Sequence, residues 1–82
     1  MTVSVLVADD HPIYREGIVR AINDREDLEL VGEAADGRDA LDQITRLNPN
    51  VAVLDIRMPE LDGTQVLSAI RNDSVNTRVL FL

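Results

Sequence analysis

The sequence predicts a three-layer α/β fold built on a parallel sheet with spatial strand order 2-1-3-4. Three observations carry that prediction. Short apolar runs alternate with amphipathic helical patterns along all 82 residues, an order that makes the strands parallel and their crossovers right-handed. The two most apolar runs, Val3 to Ala8 and Val51 to Leu54, each end abruptly in carboxylates, Asp9-Asp10 and Asp55. The run that starts at Leu28 alternates apolar and polar residues instead, which marks a strand with one wet side at a sheet edge. Two central strands and one edge strand put the reversal of winding between strands 1 and 3. Ligand chemistry in open α/β sheets gathers at the carboxyl ends of strands at that reversal.

Each element has its own warrant. Val3 to Ala8 is rich in β-branched residues and reads as a strand buried on both faces. His11-Pro12 opens the first helix, because proline is tolerated at the first helical position, where its missing N–H would be unpaired anyway. Ile13, Gly17, Ile18, Ala21 and Ile22 are expected to form its inner stripe. In the second strand, Leu28 to Ala35, the residues Leu28, Leu30, Gly32 and Ala34 alternate with Glu29, Val31 and Glu33. Asp36 then caps a second helix whose apolar face is Ala40, Leu41, Ile44 and Leu47. Pro49 ends it by pushing Asn48 out of helical geometry. The third strand, Val51 to Leu54, gives way to a loop with Pro59 and Gly63, and Thr64 to Asn72 forms a third helix through Val66, Leu67 and Ile70. Thr77 to Leu82 starts a fourth strand, with Phe81, like Tyr14, expected to pack.

Composition narrows the function. A chain of 82 residues forms at most one domain. It has no cysteine, which removes disulfides and thiolate metal sites. No apolar stretch approaches the ~18 residues of a membrane span, and no signal peptide opens the chain, so a cytoplasmic protein without membrane contact is expected. The net charge is −7, with 15 acidic residues against eight basic ones, all arginine. That balance argues against direct contact with nucleic acid and favours a cation or a basic partner.

Neighbouring strands lie ~4.8 Å apart, so Asp9, Asp10 and Asp55 converge across the crevice. Like charges at that range repel, and a divalent oxygen-seeking cation relieves the conflict. Mg²⁺ suits one or two carboxylates with water and phosphate completing an octahedron. Capping of the first helix could account for one of the pair but not for Asp55 on another strand. Asp55 could serve as a pure ligand or as a nucleophile that forms an aspartyl phosphate; the residues alone leave both open.

The motifs Asp9-Asp10-His11-Pro12, Gly32 to Gly37, Pro49-Asn50-Val51 and Leu54 to Gly63 resemble the receiver domain of bacterial two-component response regulators, a flavodoxin-like fold, and the His-Pro with Arg15-Glu16-Gly17 is similar to the NarL/FixJ (LuxR-type) subfamily. The resemblance covers the whole chain. It implies that Asp55 is the phosphoacceptor, served by a sensor histidine kinase. It implies that Asp10 and Asp55 ligate Mg²⁺, that Asp9 acts mostly through water, and that the backbone carbonyl of Arg57 is the third protein ligand. The family has five strands and five helices. On that pattern residues 1–82 are the N-terminal portion of a receiver, ending before the switch hydroxyl and the phosphoryl-binding lysine. Such a portion is expected to phosphorylate poorly and not to switch. A helix-turn-helix output would lie outside it and would bind the DNA. The apolar fourth strand, Val79 to Leu82, is expected to recruit a second copy by edge pairing or element swapping.

Other residues have plainer readings. His11 is expected at the helix start, Glu60 and Asp62 in a solvated turn, and Gly63 where a Cβ would be forbidden. Tyr14 is also a candidate for docking the kinase. The chain is expected not to be an enzyme. The competing class is a haloacid-dehalogenase-type phosphotransferase or phosphatase, suggested by Asp62-Gly63-Thr64, although Glu60 stands where that motif needs aspartate. A non-phosphorylated interaction scaffold is the third reading.

Overall fold

The computed structural model describes residues 2–82. Four strands and three helices alternate: β1 (Val3–Ala8), α1 (Pro12–Asn23), β2 (Leu28–Ala34), α2 (Gly37–Leu47), β3 (Val51–Leu54), α3 (Gly63–Asn72) and β4 (Arg78–Phe81). The sheet is parallel throughout, in the order β2-β1-β3-β4. The predicted fold class, strand order and edge position of β2 all hold. Alternate residues of β1 feed two cores. Leu6 and Ala8 join Ala52, Leu54, Ala40, Ile44, Val66 and Ile70 beneath α2 and α3. Val5 and Val7 join Ile22, with Ile18 and Val53, beneath α1. The single helix on that face leaves an apolar groove of about 350 Å³ lined by Val3, Val51, Val53 and Leu80 among others.

Two expectations about faces need correction. The alternation in β2 does not point all its apolar residues one way. Val5 pairs with Leu30 but Leu6 pairs with Gly32, so Val31 is an extra, bulged residue. Because side chains alternate with period two, one inserted residue exchanges the faces. Leu28 and Leu30 therefore pack under α1, whereas Ala34 packs under α2 and α3. The inner stripe of α1 is also narrower than expected. At ~100° per residue, Ile13 lies ~180° around the helix from Ile22. The sheet takes the Ile18–Ile22 side and leaves Ile13 83% and Tyr14 68% exposed. Phe81 is likewise partly exposed rather than buried.

Local chemistry sets the helix ends. Asp36 caps α2 by accepting a hydrogen bond from the Asp39 N–H at 2.8 Å. Asn48 closes that helix in the left-handed region, φ 48°. The third helix begins at Gly63, one residue earlier than predicted, because Asp62 is its N-cap. Asp62 Oδ1 accepts from the Gln65 N–H at 2.9 Å and the Thr64 hydroxyl at 2.7 Å, while Gln65 Oε1 accepts from the Asp62 N–H at 2.9 Å. This reciprocal capping box starts the helix next to the loop that follows β3. Asp62 therefore caps the helix from within this turn.

The Thr64 hydroxyl, followed by the Gln65 N–H, holds the Asp62 carboxyl below the usual aspartate range. A lowered folded-state value means that this contribution to stability is complete above the ordinary aspartate value. It is lost as pH falls from there through the lowered one. Asparagine caps about as well as aspartate without that titration. Thermal melts at decreasing pH are expected to show a smaller acid-induced drop in Tm for Asp62→Asn than for the wild type.

Candidate functional site

The site grows out of the ends of β1 and β3. The Asp9 N–H donates to the Ala34 carbonyl at 3.1 Å and the Asp55 N–H to the Ala8 carbonyl at 2.9 Å. These bonds extend the sheet ladder by one residue on each strand and bring the two carboxylates into one crevice. Asp9 is the most buried of the acidic residues there, its side chain 3% exposed against 31% for Asp10 and 23% for Asp55. Its Oδ1 accepts from the His11 N–H at 2.8 Å, which turns the chain into α1. The Arg15 guanidinium donates to the Asp9 carbonyl at 2.6 Å and meets Glu33 Oε1 at 3.3 Å, tying α1 to β2 behind the acid pair.

Asp9, Asp10, His11 and Asp55 each offer one ligand atom, and the four atoms lie within 4.8 Å of one another. Asp10 Oδ1 is buried with no hydrogen-bond partner among the described residues. A buried carboxylate oxygen left unpaired is costly. Together with an oxygen-rich donor set, it fits a divalent cation in the crevice. The crevice opens to solvent through a cavity of about 360 Å³ lined by Asp9, His11, Tyr14, Ile18, Asp55 and Leu82.

The loop after β3 is clamped at several points. The Arg57 N–H donates to Asp55 Oδ1 at 3.3 Å, and the Arg57 side chain is exposed as expected. The Gly63 N–H donates to the Ile56 carbonyl at 2.8 Å, and the Gly37 N–H to the Pro59 carbonyl at 3.1 Å. Met58 and Leu61 pack against the main core. Glu60 takes a left-handed conformation, φ 72°, and neither it nor Asp62 belongs to the carboxylate cluster.

The family profile described as "Response regulator receiver domain" matches residues 5–82. The chain belongs to the response regulator receiver domain family. Among curated relatives, this receiver chain is 50% identical over 80 residues to the probable transcriptional regulatory protein NarL of Mycobacterium tuberculosis, covering 98% of this chain and 37% of that protein. It is 35% identical over 82 residues to the response regulator protein VraR of Staphylococcus epidermidis, covering 100% of this chain and 39% of that protein. It thus spans well under half the length of these relatives. Among solved structures, the signal receiver domain of the M. tuberculosis NarL superposes with a TM-score of 0.96 at 50% identity, covering 98% of this chain and 64% of that one. A LuxR-family DNA-binding response regulator from Staphylococcus aureus superposes with a TM-score of 0.91 at 35% identity, covering 96% and 66%. The flavodoxin-like receiver fold and a place in two-component signalling follow for this chain.

The structure of the receiver brings together all three predicted carboxylates and places Arg57 beside Asp55. It adds two residues that the sequence reading did not put in the site. His11 is the N-cap residue of α1, yet its side chain makes no capping hydrogen bond; Nδ1 points toward the carboxylates. Arg15 braces the backbone of Asp9. A helical repeat of four residues from His11 to Arg15 was the available signal, since it puts both on one side of the first turn.

Gly63 holds the loop by close approach. A Cβ there would lie 2.7 Å from the Asp55 carbonyl oxygen, 2.8 Å from the Phe81 ring and 3.1 Å from Ile56 Cα. Two of those neighbours are backbone and cannot swing aside. Gly63→Ala is expected to displace the Asp55–Ile56 segment. Calorimetric titration should show Mg²⁺ binding at least about tenfold weaker, as loss of ligand support typically costs, with the fold retained by circular dichroism.

Proposed function

We propose that this domain accepts a phosphoryl group on Asp55 from a sensor histidine kinase, in a Mg²⁺-dependent reaction. The observation that carries this reading is the position of Asp55. It ends the central strand β3, projects into an open crevice, and faces the acid pair of β1. In this reading one Asp55 carboxylate oxygen attacks phosphorus, and the bond to the kinase imidazole breaks as the new P–O bond forms. Asp10, Asp55 and the Arg57 carbonyl would hold the ion, with Asp9 contributing through water. When bound, Mg²⁺ neutralises charge on the phosphoryl oxygens. Asp9 is fixed by the His11 N–H and Arg15, so its part is to orient its neighbours and their water. The Arg57 N–H restrains Asp55 Oδ1.

The domain is a stoichiometric switch component rather than an enzyme, acting in the cytoplasm. No helix among the described residues is long and apolar enough to cross a membrane. Residues 1–82 correspond to the N-terminal part of a receiver, and transcriptional output rests with a DNA-binding domain outside them. The names of NarL and the LuxR-family neighbour support that output. The haloacid-dehalogenase reading loses its motif, because Asp62 and Thr64 are engaged with each other at the start of α3.

Exposure to a small phosphoramidate or acyl-phosphate donor, followed by borohydride reduction and peptide mass spectrometry, tests the reading. A low-stoichiometry adduct confined to Asp55, dependent on Mg²⁺ and absent in Asp55→Asn, is expected. Labelling elsewhere, labelling indifferent to Mg²⁺, or catalytic turnover of a phosphomonoester would contradict it.

A further inference from the structure

We infer that Arg15 is a positioning residue for the chemistry of this crevice, acting through its hydrogen bond to the Asp9 main chain rather than through its charge. The inference rests on the phosphoacceptor reading and deepens it. Asp9 is 2% exposed, so water does not serve its carbonyl. Among the described residues that carbonyl has one donor, the Arg15 guanidinium at 2.6 Å. A buried carbonyl deprived of its donor is costly. The N–H and Oδ1 of Asp9 are engaged as well, with the Ala34 carbonyl at 3.1 Å and the His11 N–H at 2.8 Å.

The effect reaches Asp10 through the peptide bond. The six atoms from Asp9 Cα to Asp10 Cα lie close to one plane. Anchoring the Asp9 N–H on one side and its carbonyl oxygen on the other therefore sets where Asp10 Cα stands. Asp10 Oδ1 has no hydrogen-bond partner among the described residues, so the aim of that side chain depends on the main chain beneath it. Arg15 is itself held. Its N–H donates to the His11 carbonyl at 2.9 Å, and its side chain is 21% exposed. The Arg20–Glu16 and Arg25–Asp27 pairs are more than half exposed at both partners, where ion pairs contribute little.

A guanidinium suits this place because its planar fork serves two acceptors at once. Nη1 reaches the Asp9 carbonyl while Nε faces Glu33 Oε1 at 3.3 Å. Glu33 balances the cation, which leaves the charge of the crevice to its aspartates. Support and charge then act in opposite directions. Removing only a cation beside an acidic crevice favours Mg²⁺ binding, whereas removing the support of Asp10 weakens it.

Calorimetric Mg²⁺ titration of the full chain, paired with the rate of Asp55 labelling by a small acyl phosphate at saturating Mg²⁺, tests the inference. At ~0.15 M salt exposed charges are largely screened. There Arg15→Met is expected to bind Mg²⁺ at least about tenfold more weakly and to label at least about tenfold more slowly, as loss of support for a ligand typically costs. Arg15→Lys keeps the charge but serves one acceptor at a time, and is expected to fall between Arg15→Met and the wild type. Glu33→Gln removes the ion pair yet keeps an acceptor oxygen for Nε, and is expected within about threefold of the wild type. Circular dichroism verifies folding; if Arg15→Met does not fold, Arg15→Lys and Glu33→Gln decide alone. Unchanged or tighter Mg²⁺ binding in Arg15→Met, wild-type behaviour in Arg15→Lys, or a loss in Glu33→Gln as large as in the Arg15 variants would overturn the role of Arg15 while leaving Asp55 as acceptor. Failure of the wild type to bind Mg²⁺ or to be labelled would overturn the phosphoacceptor reading itself.

Discussion

Repulsion among carboxylates held in one crevice is the constraint on which this site depends. Asp9 and Asp55 cannot drift apart, because their backbone N–H groups complete the sheet ladder to Ala34 and Ala8. Asp10 follows Asp9 directly, and the turn after it is fixed by the His11 N–H on Asp9 Oδ1. The fold therefore gathers like charges that, within the acidic cluster, only His11 Nδ1 answers, at 3.0 to 3.8 Å, with Asp10 Oδ1 buried and without a hydrogen-bond partner among the described residues. A ligand that binds only the folded state stabilises it by mass action. A cation in this crevice would thus serve the proposed chemistry and folding at once.

The surroundings keep Asp55 in position. The loop after β3 is anchored by Met58 and Leu61 in the core, by the Pro59 carbonyl on the Gly37 N–H, and by the Ile56 carbonyl on the Gly63 N–H. Gly37 is as confined as Gly63, since a Cβ there would run into the backbone of Leu61. Glycines at both places let α2 and α3 begin hard against this loop. The proposed role of Asp55 as phosphoacceptor would need this rigidity, because precision at a reacting group comes from packed support rather than from the group itself.

Much of this was legible in the sequence because it rests on patterns with a strict period. The apolar runs at Val3 and Val51 ended in carboxylates, and strand order followed from which runs were fully apolar. Features that depend on three-dimensional partners were not legible. The bulge at Val31 leaves the alternation of β2 intact while exchanging its faces. Ile13 and Ile22 both fit a loose helical spacing, but only the position of the sheet decides which side is inward. Asp62 stood among acidic loop residues, and its capping role emerges only with the Gln65 and Thr64 contacts. His11 was read as a residue of the helix start, and that is where its backbone sits. The direction of its ring, with Nδ1 3.0 Å from Asp10 Oδ1 and 3.3 Å from Asp9 Oδ1, depends on side-chain geometry that spacing does not give.

The central claim, that clustered carboxylates are strained until a cation joins them, is tested most directly by thermal unfolding against Mg²⁺ concentration at constant ionic strength. The wild type and Asp10→Asn are the pair to compare. The account predicts a rising Tm in the wild type, little or no rise in Asp10→Asn, and a metal-free variant at least as stable as the metal-free wild type. Equal Mg²⁺-dependent rises in both proteins, or a metal-free Asp10→Asn less stable than the wild type, would contradict it.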